Sequence, residues 1–162
     1  MRASFCPYCA TKLILKPIGD EGNVPFCLNC SRPIFDISTP CVIVAVFNEK
    51  NEVALIRQSY GKKNLRLISG YVKLKDSLEE TVFKEVKEEI GQDVIKLSYI
   101  KSFYQERNEN LMAGFIAYVV AKDIVLSSEV TECKFYHLDE AISLLTEAKI
   151  AKSLLEEIKK VI

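Results

Sequence analysis

The amphipathic segment at residues 77–90 constrains the fold of this chain more than any other part of the sequence. Ser77 and Glu80 have the spacing of a capping box, which marks the first turn of a helix. Gly91 stands directly after the segment and is typical of a helix end. Four apolar residues recur at intervals of four and form one stripe: Leu78, Val82, Val86 and Ile90. The pattern therefore predicts a helix from Ser77 to Ile90 that packs one face against a core.

Apolar segments on both sides of this helix are typical of strands. Cys41–Phe47 is continuous and rich in β-branched residues, which predicts a buried strand, and Val53–Arg57 is expected to pair with it as a hairpin. The remaining predicted strands are 65–68, 94–104, 111–121 and 133–138, and the remaining predicted helices are 139–147 and 151–162. The pattern predicts an α/β or α+β domain at residues 40–162 with a central sheet.

The balance of charge and the lack of long apolar runs limit the classes of function. Lys+Arg and Asp+Glu each number 22, so the net charge is zero and gives no bulk attraction to nucleic acid or anionic membrane. No apolar run approaches the ~18 residues of a membrane helix, and residues 1–10 lack the apolar core of a signal peptide. We therefore expect a soluble, cytoplasmic protein without membrane contact, whose thiols stay reduced.

Two Cys-x2-Cys pairs distinguish residues 1–39 from the rest of the chain. The pairs are Cys6 with Cys9 and Cys27 with Cys30, and the 17 residues between them are the spacing of a four-cysteine zinc ribbon. Redox-active pairs or disulfides are the alternatives, but two pairs in a reducing compartment favour zinc. Four thiolates close the coordination sphere, so the predicted zinc is structural and not catalytic.

The remaining cysteines and the single histidine are not expected to bind metal. Cys41 lies in a predicted core strand and Cys133 at a strand start, where both are expected to be small buried apolar residues. His137 is expected to pack at the end of a strand or to lie at the surface, and nothing else in the sequence supports a nucleophilic triad centred on it.

Three glutamates crowd one side of the predicted helix. Glu85, Glu88 and Glu89 stand at positions i, i+3 and i+4, and the first and last lie at the edge of the apolar stripe. Like charges that are partly desolvated need a compensating cation, and a hard divalent ion such as Mg²⁺ or Mn²⁺ suits carboxylate ligands. The alternative is a solvated acidic face that pairs with Lys84 and Lys87.

The spacing around these glutamates resembles the Nudix box, Gly-x5-Glu-x7-Arg-Glu-apolar-x-Glu-Glu-x-Gly-apolar. Six positions match: Gly70, Glu85, Val86, Glu88, Glu89 and Gly91. Asp76 and Lys84 keep the charges of the family's Glu and Arg, whereas Gln92 replaces an apolar residue. The resemblance implies an α/β/α sandwich-like Nudix fold with a mixed central sheet, preceded by the zinc ribbon, and a Mg²⁺- or Mn²⁺-dependent pyrophosphohydrolase.

The resemblance also implies roles for residues of the box. Glu85 and Glu89 become the core metal ligands, and Glu88 adds a ligand or a water-mediated contact. Gly70 permits a backbone turn that a side chain would obstruct. Asp76 and Lys84 are expected to complete the catalytic box.

The order of ribbon and domain is similar to that of the bacterial NADH pyrophosphatase branch of the family. In that branch a Ser-Gln-Pro-Trp-Pro-Phe-Pro-x-Ser motif is associated with NADH-type specificity, but residues 102–110 keep only Ser102 of it. The implied substrate is a nucleoside diphosphate linked to another moiety, with NAD(H)-type dinucleotides and ADP-ribose favoured and a capped RNA 5′ end also considered. The family resemblance further implies a homodimer.

Further site residues are proposed outside the box. Nudix enzymes often place another acidic residue in the stretch that Glu129 begins, so Glu129 is the first candidate for an extra metal ligand or general base and Glu132 the second. Two solvated loop acids are the alternative, since spacing alone does not identify a base. Four side chains are candidates for contacts to a base or phosphate, with packing as the alternative: Tyr71, Phe103, Tyr104 and Arg107.

The rival hypothesis is a Nudix-fold module that binds a nucleotide or RNA with little turnover. Asp76 is one methylene shorter than Glu, Lys84 lacks the bidentate fork of Arg, and Gln92 replaces an apolar residue, so all three changes favour this hypothesis. The three glutamates of the box favour the enzyme. A purely structural zinc protein leaves the acidic helix unexplained. Metal-dependent turnover separates the enzyme from both rivals.

Overall fold

The computed structural model describes residues 4–60 and 64–162. The first three residues of the predicted ribbon lie outside this range. The chain forms two compact units, which comprise residues 1–38 and 39–162. Within the described residues, no helix is both long and apolar enough to cross a membrane.

The first unit is a small antiparallel sheet. Its strands are β1 (Ile14–Pro17), β2 (Asn23–Cys27) and β3 (Arg32–Pro33), in the order β1-β2-β3, with one turn of 3-10 helix at Gly19–Glu21. The core cluster of this unit contains three buried residues, Cys6, Leu13 and Cys27.

In the described residues of the second unit, seven strands form a mixed sheet. The strands are β4 (Thr39–Phe47), β5 (Glu52–Gln58), β6 (Leu65–Arg66), β7 (Ile68–Tyr71), β8 (Val94–Gln105), β9 (Asn110–Val119) and β10 (Val130–His137). Their order is β10-β5-β4-β9-β8, and β6 pairs with β5 while β7 pairs with β4. The pair of β4 and β9 is parallel, and the other pairs are antiparallel.

Strand β4 lies at the centre of this sheet, which explains its continuous apolar sequence. One edge of it pairs with β9 along its full length. Its other edge pairs with β7 at residues 41–44, so the expected hairpin with β5 is confined to Phe47 opposite Val53. Strand β5 pairs mainly with β10. The hairpin prediction is therefore right only at the turn, because β7 takes the edge that a longer hairpin needs.

Both faces of the sheet are covered by helices, and the part of this unit that the structure describes contains three: α1 (Leu78–Ile90), α2 (Leu138–Leu144) and α3 (Lys149–Ile158). Alternate residues of β4 face opposite layers, since Val42 and Val44 pack in the cluster with α1 whereas Ile43 and Ala45 pack in the cluster with α2 and α3. The predicted α+β sandwich with a mixed central sheet is confirmed. The last two helices are shorter than predicted.

Helix α1 begins and ends as the sequence predicts. The Ser77 hydroxyl accepts the backbone N–H of Glu80 at 3.1 Å, and the Glu80 carboxylate accepts the N–H of Ser77 at 2.8 Å. Gly91 adopts the left-handed conformation at φ 71° and donates its N–H to the carbonyl of Lys87. The glutamates near the end of α1 are thereby fixed on a well-defined helix.

Candidate functional site

A cavity of about 600 Å³ opens where α1, β7 and the segment before β10 meet. Six residues proposed from the sequence line it: Gly70, Tyr71, Glu85, Glu88, Glu89 and Glu129. The fold thus brings the three glutamates of α1 together with an acidic residue 40 positions beyond Glu89 in the chain. The cavity is the place where these carboxylates can act on one ligand.

Gly70 leaves room for the side chain of Glu85. A Cβ atom at position 70 would lie 2.1 Å from both Cδ and Oε1 of Glu85, a distance that real atoms do not adopt. Gly70 lies in β7 without a positive φ. The predicted obstruction by a side chain at position 70 is thus present, but it arises in a strand where a carboxylate approaches closely and not in a backbone turn.

Glu89 is the most deeply buried of the three clustered glutamates on α1. Its side chain is only 5% exposed, and Oε2 makes no hydrogen bond with the described residues. Burial raises its pKa to about 8, and the charges of Glu85 and Glu129 add to this rise. An unpartnered oxygen of a buried carboxylate costs free energy unless a cation compensates it.

Glu85 shares this electrostatic environment. Burial raises its pKa, the charge of Glu88 raises it further, and the ammonium group of Lys73 opposes the rise. Hard oxygen donors on one rigid helix, with one oxygen unpartnered among the described residues, fit a small divalent cation such as Mg²⁺ or Mn²⁺. Glu85, Glu88 and Glu89 are the residues that could hold it.

Asp76 and Lys84 lie outside the cavity lining and contact each other. The Lys84 ammonium donates to Asp76 Oδ1 at 2.7 Å, and this hydrogen bond raises the pKa of Lys84. The contact joins the loop after β7 to the middle of α1. The two charge-conserving departures from the Nudix pattern thus still pair, although through a single hydrogen bond.

Tyr104 and Arg107 line a second cavity of about 700 Å³ instead of the first. The two cavities adjoin, because four residues line both: Arg66, Ser69, Gln105 and Met112. Phe103 packs against the core cluster on the α2 and α3 side of the sheet. The structure therefore separates the proposed substrate contacts into two neighbouring sites and one core position.

The structure distinguishes the two acidic residues before and within β10. Glu129 lines the cavity, its carbonyl accepts the N–H of Ser59 at 2.8 Å, and its carboxylate accepts the Tyr60 hydroxyl at 3.4 Å. Glu132 instead accepts a hydrogen bond from Arg57 at 2.9 Å and pairs with Lys134 at 2.7 Å. Of the two candidates, Glu129 therefore lines the cavity and Glu132 does not.

Several cavity residues have no signal in the sequence. Arg66 comes from the two-residue strand β6, donates to Gln58 Oε1, and opposes the pKa rise of Glu89. Tyr60 and Lys73 lie on loops and also line the cavity. Pairing of strands brings them together, so no local pattern marks them.

The four cysteines of the first unit converge as the spacing predicts. All four Sγ atoms lie within 4.8 Å of one another, and none forms a disulfide. Three of the sulfur–sulfur distances are 3.3, 3.5 and 3.9 Å. A tetrahedron with Zn–S bonds of about 2.3 Å separates its sulfurs by about 3.8 Å. The sulfur atoms are thus close enough together to hold one zinc ion, and none of the four is joined to another as a disulfide.

The other candidate ligands lie apart from this cluster. Cys41 is 3% exposed and packs in the core of the second unit, as predicted. Cys133 is partly buried against the cluster beneath α1, and burial raises the pKa of its thiol to about 12. His137 is exposed at the end of β10.

The chain is similar in sequence to a family of known proteins. Residues 38–158 match the family model described as NUDIX domain. The NAD-capped RNA hydrolase NudC of Enterobacter sp. (strain 638) is 30% identical over 156 residues, which cover 94% of this chain and 58% of the relative. The protein of the same name from Escherichia coli (strain K12 / DH10B) is 28% identical, with 94% and 59% covered. The chain thus spans less than two thirds of these relatives.

Solved structures show the same fold at lower identity. A NUDIX hydrolase from Nitrosomonas europaea superposes with a TM-score of 0.68 at 17% identity and covers 98% of this chain and 94% of that one. The MutT protein from Methanosarcina mazei Go1 gives a TM-score of 0.67 at 23% identity and covers 78% and 96%.

Proposed function

The chain belongs to the Nudix family, and from this premise we propose that it is a pyrophosphohydrolase whose reaction takes place in the cavity beside α1. The observation that carries the proposal is the buried carboxylate of Glu89, whose Oε2 has no partner among the described residues. With Glu85 and Glu88 it forms a donor set that fits Mg²⁺ or Mn²⁺. When bound, such a cation neutralises charge on phosphate oxygens and makes the attacking water more acidic.

Different side chains of the cavity are proposed to bind phosphate and to transfer the proton. Lys73 and Arg66 line the cavity and supply positive charge for phosphate oxygens that point away from the glutamates. Glu129 is the proposed general base and takes the proton of the attacking water. The water oxygen forms a bond to one phosphorus while the bridging P–O bond breaks. The products are a nucleoside monophosphate and a phosphorylated second moiety.

The two adjoining cavities support a substrate with two moieties. A pyrophosphate beside α1 leaves one of its groups next to the second cavity, since Arg66, Ser69 and Gln105 line both spaces. We propose a nucleoside diphosphate linked to another moiety, with NAD(H)-type dinucleotides or ADP-ribose favoured. Relatives described as NAD-capped RNA hydrolases support this class and extend it to a capped RNA 5′ end.

The first unit is proposed to bind one structural Zn²⁺ through Cys6, Cys9, Cys27 and Cys30. Its four converging sulfurs support this assignment. Division of the chain into a zinc ribbon and a catalytic domain, a cytoplasmic location and a homodimeric assembly remain predictions.

The experiment is a substrate panel. NADH, NAD⁺, ADP-ribose, dinucleoside polyphosphates, nucleoside triphosphates and a capped RNA are incubated with the zinc-loaded protein and Mg²⁺ or Mn²⁺, and mononucleotide release is measured. We expect metal-dependent release from one of the two-moiety compounds and none above background from Glu89→Gln.

The rival hypothesis is a module that binds nucleotides with little turnover. The single hydrogen bond of Lys84 to Asp76 favours it, because an arginine could form two bonds with the same carboxylate. A folded wild type that binds a panel compound but releases no mononucleotide would replace the proposed enzyme by this module.

A further inference from the structure

Gln92 is a fully buried amide at the end of α1. Its Nε2 donates to the carbonyl of Lys122 at 3.1 Å and to that of Ile90 at 3.3 Å, and its Oε1 accepts the N–H of Lys122 at 3.1 Å. A buried amide is tolerated only when its donor and acceptor are paired, and here both are. An apolar side chain, which the Nudix pattern has at this position, would fill the space without any of these bonds.

The segment at residues 122–129, whose first residue is hydrogen-bonded to Gln92, crosses the end of α1. Val125 donates its N–H to the carbonyl of Ile90, and Ser127 donates to that of Glu89, each at 3.3 Å. These are carbonyls that the last turn of a helix leaves without partners. A Cβ atom on Gly91 would lie 2.8 Å from Cβ of Val125, so the glycine also permits the close approach. The segment is therefore seated on the helix that carries the three glutamates.

The same segment delivers Glu129 to the cavity. The N–H of Glu129 donates to the Ser127 hydroxyl at 3.3 Å, and both residues line the cavity with Ser128. No regular secondary structure lies between the end of β9 at Val119 and Val130 at the start of β10, a stretch that the structure describes throughout. The place of the Glu129 carboxylate therefore depends on where this segment is attached.

We propose that Gln92 is a positioning residue for Glu129. Its buried amide fixes the start of the segment on α1, so that the carboxylate of Glu129 keeps its place beside Glu85 and Glu89. The inference rests on the proposed function for the role of Glu129 and goes beyond it in assigning a task to a residue outside the cavity. Proton transfer requires heavy atoms within about 3 Å, so a loosened segment loses the base even when the fold survives.

A second attachment of the same segment offers a matched control. Asp93 pairs with the ammonium groups of Lys87 and Lys122, but its side chain is 60% exposed. Exposed ion pairs contribute little because water screens them. Of these two side-chain attachments, the buried amide is therefore expected to hold the segment more strongly than the exposed ion pairs of Asp93.

The first test compares Gln92→Met with Asp93→Ala in the full, zinc-loaded chain. Methionine keeps the length of the side chain but can form none of the hydrogen bonds. We expect amide hydrogen exchange at residues 122–129 to accelerate about tenfold or more in Gln92→Met, with exchange in β4 unchanged. The kcat should fall about tenfold with KM within about twofold. Asp93→Ala should change each quantity less than about twofold.

The second test repeats Gln92→Met in a Glu129→Gln background. If Gln92 acts through Glu129, the added substitution leaves the remaining kcat within about twofold. An equal fall of kcat in both backgrounds, or unchanged exchange at residues 122–129, overturns the proposal. A wild type without turnover would refute the proposed function, and the exchange measurement would then decide the attachment alone. Gln92→Asn, which is too short to span the gap, replaces Gln92→Met if the latter does not fold.

Discussion

The two units of this chain present two candidate metal sites of different chemistry, which relate differently to their folds. In the first unit, the core cluster formed by the described residues includes two cysteines of the thiol cluster, Cys6 and Cys27, which pack with Leu13. In the second unit, hard carboxylates lie on one capped helix against an extensive apolar core. The first site is part of the core that holds its unit together, whereas the second is supported by a core that does not need it.

The two candidate sites differ in what they offer to a further ligand. A closed set of thiolates satisfies the metal completely and leaves no position for a ligand. The glutamates of α1 are left unsatisfied, since Glu89 is buried with an oxygen that has no partner among the described residues. The core of the second unit is large enough to tolerate this unfavourable group, which is thereby available to a cation as the proposed function requires.

Removal of zinc should have the largest effect and should act on one unit only. Zinc binding to such sites is worth about 10 kcal/mol or more, so Cys27→Ser or a chelator should unfold residues 4–38 and leave 39–162 folded. Amide hydrogen exchange resolved by segment measures this. Cys41→Ser serves as the control, because Cys41 is buried outside the cluster. Protected amides in the first unit after complete loss of zinc would show that this unit folds without the metal.

Glu89→Gln should weaken the carboxylate site and leave its unit folded, whereas loss of zinc should unfold the first unit. We expect turnover and Mn²⁺ affinity each to fall by about 100-fold or more, because a neutral amide replaces a charged ligand. Zinc content and folding should be unchanged. Glu79→Gln, an exposed position in the first turn of the same helix, is the matched control. Full turnover in Glu89→Gln would remove Glu89 from the site.

The stability of the second unit should fall with rising pH when Mg²⁺ and Mn²⁺ are absent. Burial raises the pKa of Glu89 to about 8, so above its ordinary pKa near 4.5 the unfolded chain releases a proton that the folded chain retains. The free energy of unfolding should therefore decrease between about pH 5 and pH 8, by about 2–4 kcal/mol.

Urea unfolding of the zinc-loaded protein at a series of pH values measures this decrease. Glu89→Gln should abolish most of it, and added Mg²⁺ should oppose it. The same slope in the variant would show that another group causes the pH dependence.

Gly70→Ala should have the smallest effect and should separate activity from stability. The added Cβ would meet the flexible end of Glu85, which can move away at little cost to the fold. We expect Mn²⁺ affinity to fall about tenfold while the midpoint of thermal unfolding changes by only a few degrees. Unchanged affinity would show that the place of Glu85 over Gly70 does not matter for the metal.

Local patterns in the sequence determined several parts of this protein. The capping box and the apolar stripe predicted α1 to within a residue, and the cysteine spacing predicted the sulfur cluster. The positions of Glu85 and Glu89 on one side of the helix follow from helical periodicity alone. Each of these features depends on residues close together in the chain or on a spacing characteristic of a family.

Tertiary structure decided what the carboxylates face. Strand β7, and not β5, pairs with most of one edge of β4. This pairing places Gly70 beneath Glu85. The pairing of β10 with β5 has a register shift between Val130 and Glu132. Glu129, before this shift, lines the cavity, whereas Glu132, after it, pairs with Arg57, 75 positions away. Gln92, which the pattern marked only as a departure, holds the backbone of Lys122, 30 positions away. Such contacts depend on strand order and register, which the packing of the whole sheet fixes and no local pattern records.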